Sequence, residues 1–117
     1  MIKIIATLLT IFAFSTSHAK KVNVGIILGF TGPIESLTPD MAAGAELAFS
    51  EAENSGKLLN GSKINVIRAD STCIDSAAAS SAAEGLISQG VTAIMGADCS
   101  GVTGAILSNV AVQMAFQ

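Results

Sequence analysis

Residues 63–99 read KINVIRADSTCIDSAAASSAAEGLISQGVTAIMGADC, and the fold class turns on how this stretch is divided. Lys63 to Ala69 is an apolar, β-branched run of strand length. Asp70 to Ile74 follows as a loop. Asp75 then suits a helix N-cap, and Ala79, Ala82, Ala83 and Leu86 recur at helical spacing on one face. The pattern carries that helix to about Gln89, with Gly90 as its stop. Val91 to Met95 is a second strand, and Gly96 to Cys99 its loop. Strand, helix and strand in this order form a right-handed crossover between parallel strands.

The same alternation extends both ways. Upstream, Val22 to Leu28 (VNVGIIL) reads as a strand buried on both faces. Gly29 to Thr38 is a loop containing Gly32-Pro33. Thr38 is the expected N-cap of the first helix, with Pro39 at its first position and Asp40 in its first turn. Met41, Ala45, Ala48 and Ala52 repeat along that helix, and Asn54-Ser55-Gly56 ends it. Asn60-Gly61 is a turn signal. Downstream, Ser100 is the expected N-cap of a third helix reaching about Asn109, and Val110 to Gln117 the start of a fourth strand. The expectation is an α/β fold with a doubly wound parallel sheet. A chain stopping inside a strand reads as the first part of a longer protein.

The first 19 residues carry Lys3, the apolar stretch Ile4 to Phe14, and the small residues Ser17 and Ala19 at the positions a signal peptidase reads. The apolar stretch is shorter than the ~20 residues a membrane span takes. Residues 1–19 are therefore expected to be a cleaved signal peptide, and residues 20–117 the folded part. Losing Lys3 takes the formal charge of −3 to −4. There is no basic patch, so nucleic acid is not an expected partner. The single histidine, His18, leaves with the leader. The remainder has no Ser–His or Cys–His pair and no calcium loop, so neither an enzyme nor a metal or cofactor site is expected in it.

Two cysteines, Cys73 and Cys99, each follow a strand, on the edge where the carboxyl ends of parallel strands emerge. Export favours their bonding over two buried thiols, subject to strand order and loop path. Gly25, Gly29 and Gly32 do not match a dinucleotide fingerprint, and Gly29 and Gly32 read as turn formers. Asp98-Cys99-Ser100-Gly101 opens the third helix, where a hydroxyl and backbone N–H groups are a seat for a carboxylate. In the common strand order 2-1-3-4, ligands bind where the chain reverses between strands 1 and 3. That nominates the loops Gly29–Thr38 and Gly96–Ser100.

From Lys21 onward the chain resembles the N-terminal lobe of periplasmic leucine/isoleucine/valine-type binding proteins of ABC transporters. The matching pieces are VNVGIILGFTGPIE, GAELAFSEAENSGKLLNG, INVIRADSTC and GVTAIMGADCSGVT, in the family's order. The resemblance implies a partial type I two-lobe binding fold, a Cys73–Cys99 disulfide, and contact between Ser100 and a ligand α-carboxylate. Leu37 falls where branched-chain amino acid binders of the family often carry an aromatic, which departs from that specificity. The expected ligand-binding residues are Ser36, Leu37, Thr38, Cys99, Ser100 and Gly101. The implied protein is a monomeric periplasmic receptor that closes on an amino acid or similar solute and delivers it to an inner-membrane ABC permease. The alternatives are the sensing domain of a membrane receptor or two-component system, and the first domain of a periplasmic enzyme.

Overall fold

The computed structural model describes residues 19–58 and 61–115. The expected leader, apart from Ala19, and the Asn60 turn position lie outside them. Three strands form one parallel sheet: β1 (Lys21–Leu28), β2 (Lys63–Asp70) and β3 (Ala93–Gly96), in the order β2-β1-β3. β1 pairs with β2 from Lys21↔Lys63 to Leu28↔Asp70, and with β3 from Val24↔Ala93 to Ile27↔Gly96. As the central strand it is the most buried, with Ile26 and Ile27 at 0 % exposure.

Alternation along β1 divides the core into two layers. Ile26 and Leu28 face helix α1 (Thr38–Asn54), packing with Ala42, Ala45, Phe49, Val66 and Met95. Ile27 faces the other way, toward helix α2 (Ser76–Ser88) and its Ala83 and Leu86. Gly25 explains how α2 comes so close: a Cβ there would meet Leu86 Cδ1 at 2.8 Å. Burying Leu86 to 1 % exposure is worth roughly 2–3 kcal/mol. Helices thus cover both faces, α1 connecting β1 to β2 on one side and α2 connecting β2 to β3 on the other.

The α2 cap is as expected, with Asp75 Oδ1 accepting from the backbone N–H of Ala77 and Ala78 at 2.9 and 3.0 Å. The inward stripe of α1 is rotated by about one residue from expectation. Ala42, Ala45 and Phe49 pack on the sheet, while Met41 is 45 % exposed and Ala48 is exposed. Phe49 decides this, because its large apolar ring gains more from the core than Ala48. Thr38 is not the N-cap; Leu37 is, and Thr38 is already the first residue of the helix.

The expected fourth strand is absent among the described residues. Helix α3 (Ser100–Ile106) runs through a π segment (Leu107–Ala111) into a last turn, α4 (Val112–Met114). Val110, expected to open that strand, is 4 % exposed and packs in the Ile27–Ala83–Leu86 cluster. Val102 at 1 % and Val110 are held inward along one helical face, which extended backbone starting at Val110 would not allow. No helix among the described residues is long and apolar enough to cross a membrane.

Candidate site at the carboxyl edge of the sheet

The ends of β1, β2 and β3 converge on one edge, and the loop after β1 lies between the other two. Its backbone is held from both sides. Asp98, just past β3, accepts from the Gly29 N–H through Oδ2 at 2.9 Å. Asp70, the last residue of β2, accepts from the Thr31 N–H at 3.3 Å and from the Thr31 hydroxyl at 2.6 Å. Asp70 Oδ1 also accepts from the Thr72 N–H at 2.8 Å. Partial burial works to raise the Asp70 carboxyl, but hydrogen bonds from Thr31, Thr72 and Phe30 outweigh it and hold it below its ordinary value.

Cys73 and Cys99 form a disulfide, with Cα atoms 5.2 Å apart. Because β1 lies between β2 and β3, this bridge crosses over the end of β1. A Cβ on Gly29 would sit 3.1 Å from Cys73 Cβ. Gly32, at φ +100°, turns the loop so closely that a Cβ would lie 2.5 Å from the Thr72 carbonyl oxygen. Thr72 and Cys73 both have left-handed backbone, at φ 58° and 70°. Such conformations cost non-glycine residues on the order of 1 kcal/mol each. The Asp70 and disulfide contacts hold them there.

Beyond Thr31 the loop makes two tight turns, Glu35 N–H to the Gly32 oxygen at 3.3 Å and Leu37 N–H to the Ile34 oxygen at 2.9 Å. These present Ser36 and Leu37 outward, Leu37 at 60 % exposure. Thr38 differs from its expected neighbours. It is 0 % exposed, and its hydroxyl donates to the Gly29 and Glu35 carbonyl oxygens at 3.2 and 3.4 Å. Its side chain closes the neck of the loop and is not presented to a ligand.

On the β3 side, Cys99 is half-buried, and Ser100 and Gly101 are exposed. Ser100 is the first residue of α3, and the extended residue before it, Cys99, stands at the cap position. Its hydroxyl therefore does not play the expected capping role. The first turn is held by Thr103, whose hydroxyl donates to the Ala97 and Cys99 oxygens at 3.2 and 2.9 Å. Gly101 faces open space on its side-chain direction. Ile74, after Cys73, is 76 % exposed on the same edge.

The structure thus joins the two nominated loops through the Asp98–Gly29 hydrogen bond, and the disulfide fastens the second of them to the loop after β2. No loop-holding role is assigned from sequence to Asp98, which joins these loops, or to Asp70, which ties the first of them to β2. Their signal was there: each is the acidic residue that follows a strand's apolar run, in VIRAD and AIMGAD. A cavity of about 490 Å³ lined by Val22, Val24, Leu58 and Ile64 lies at the opposite, amino end of the sheet. It is apolar and far from these loops, so we do not assign it to the site. Among the described residues, no three His, Cys, Asp or Glu side chains are grouped to hold a metal ion.

Comparison with known proteins adds one family. A family model described as periplasmic binding protein matches residues 21–114. No curated protein matches the chain.

Proposed function

The chain belongs to the periplasmic binding protein family, and from that premise we propose that it is one lobe of an exported receptor for an amino acid or similar small solute. Residues 1–19 serve as the cleaved signal peptide and residues 20–117 belong to the N-terminal lobe. The intact receptor is monomeric, holds its ligand between two lobes, and hands it to an inner-membrane ABC permease. No bond is made or broken. The ligand stabilises the closed state by contacts from both sides.

One observation carries this reading. The chain leaves β1 for β2 on one side and then crosses from β2 to β3 on the other side of β1, so the loops after β1 and β3 lie side by side at the carboxyl edge, where Asp98 ties them together. Open α/β sheets bind ligands at such a crevice. In this lobe the Ser100 hydroxyl and the Gly101 backbone receive the ligand carboxylate, while Ser36 and Leu37 shape the side-chain end. Cys99 is scaffold, and Thr38 supports the loop from beneath. The edge is an open shelf, so a single lobe binds weakly.

Titrating ¹⁵N-labelled protein with each of the common amino acids tests the proposal. The expected result is small, fast-exchange shifts clustered at Ser36, Leu37, Ser100 and Gly101, reduced by Ser100→Ala. A response confined to the amino end of the sheet, or none with any amino acid, refutes it. Micromolar affinity in calorimetry refutes the need for a second lobe.

A further inference from the structure

We infer that Asp70 and Asp98 are the positioning residues of the ligand-facing loop, gripping it from the two strands that flank β1. The inference rests on the proposed role of that loop. The last β1–β2 pair is Leu28↔Asp70 and the last β1–β3 pair is Ile27↔Gly96. The Gly29 and Thr31 amides therefore lie just past the ladder. Each is instead taken by a carboxylate from a neighbouring strand: Gly29 by Asp98 at 2.9 Å, and Thr31 by Asp70 at 3.3 Å. Ionised acceptors make stronger bonds to N–H than neutral carbonyls do.

The two grips fix different directions. Asp98 holds the loop toward β3, while Asp70 holds it toward β2 with a second bond to the Thr31 hydroxyl at 2.6 Å. The disulfide closes the arrangement from above, against Gly29. The Thr38 hydroxyl, on the Gly29 oxygen at 3.2 Å, closes the neck. The tip, with Ser36 and Leu37 exposed, is left to meet a ligand. Asp98 does not itself face one: its Oδ1 is buried, with no hydrogen-bond partner among the described residues. Its influence on a ligand passes through Gly29.

Amide hydrogen exchange on ¹⁵N-labelled protein tests this. The Ser71 N–H, bonded to the Leu28 oxygen at 2.8 Å, is the internal reference, since it lies in the same region but uses no carboxylate. Asp98→Ala is expected to speed Gly29 exchange relative to Ser71 by roughly 10-fold or more. Asp98→Asn, which keeps a carbonyl oxygen, is expected to restore most of the protection. Asp70→Ala is expected to act at Thr31 and leave Gly29 near wild type. Gly29 and Ser71 accelerating together, or the Asn variant exchanging as fast as the Ala variant, overturns the assignment. If Asp98→Ala does not fold, the Asn variant and Asp70→Ala decide by the same site-by-site comparison. The amino acid titration on wild-type protein is read separately: silence there refutes the receptor proposal, while the grips are judged by exchange alone.

Discussion

Replacing both cysteines, Cys73→Ser with Cys99→Ser, removes a cross-link between residues 26 apart. On a chain-entropy basis, closing a loop of that size stabilises the fold by about 3.5 kcal/mol at 25 °C, by limiting the unfolded chain. Some of this is returned. Without the bridge, Thr72 and Cys73 can relax from their left-handed conformations, which recovers roughly 1 kcal/mol. The net expected loss is about 2–3 kcal/mol. A domain of this size has on the order of 5–14 kcal/mol in total, so the loss is a large share. The assay is urea unfolding followed by circular dichroism. With a slope near ~1 kcal/mol per molar urea, the midpoint should fall by roughly 2–3 M, with a slightly steeper slope because the unfolded chain is no longer held together by the bridge. A shift under ~0.5 M refutes the reasoning, because the bridge would then add nothing to the non-covalent contacts. Adding reductant to wild type should reproduce the double variant.

Three further outcomes follow from glycine positions and from charge. Gly96, at φ +120°, packs directly on the Ile27 carbonyl oxygen, so Gly96→Ala should cost about 3 kcal/mol or more in urea unfolding. Gly44 lies within α1 with nothing near its missing side chain, so Gly44→Ala should instead stabilise by roughly 0.5–1 kcal/mol. Asp70 is held below its ordinary value of 3.8 in the folded state. Its carboxylate therefore adds stability that is fully present above that value and is lost as pH falls through the lower folded value. Stability should be insensitive to Asp70 from pH 8 to 5 and should drop below about pH 4. Asp70→Asn should flatten that acid limb in pH-dependent urea unfolding, and an unchanged limb would count against the Thr31 and Thr72 bonds.

Much of the architecture was legible because local signals agreed with tertiary packing. The apolar runs gave β1 and β2 to within a residue or so, and Asp75 capped α2 as its position suggested. The disulfide implied by the family resemblance is present. The fourth strand failed for a physical reason: VAVQMAFQ is a short apolar run, and such a run suits a buried strand or a helix equally. Contact with Ile27, Ala83 and Leu86 settled Val110 as helical, which no local pattern encodes. The caps at Thr38 and Ser100 were misplaced by one residue, because Leu37 and Cys99 hold the cap positions without side-chain acceptors. The loop-holding roles of Asp70 and Asp98 are not legible locally because their partners are backbone amides 39 and 69 residues away, invisible to any local window.

The crossing of the disulfide over β1 has a mechanical consequence. Tension applied through Lys21 loads β1 in shear against two parallel neighbours at once, and the sulfur bridge fastens the loops of those neighbours to each other. The 26-residue span inside the bridge is also withheld from stretching, which hides roughly 90 Å of contour. Pulled from its two ends, the oxidised molecule should rupture at higher force and extend less far than the reduced one.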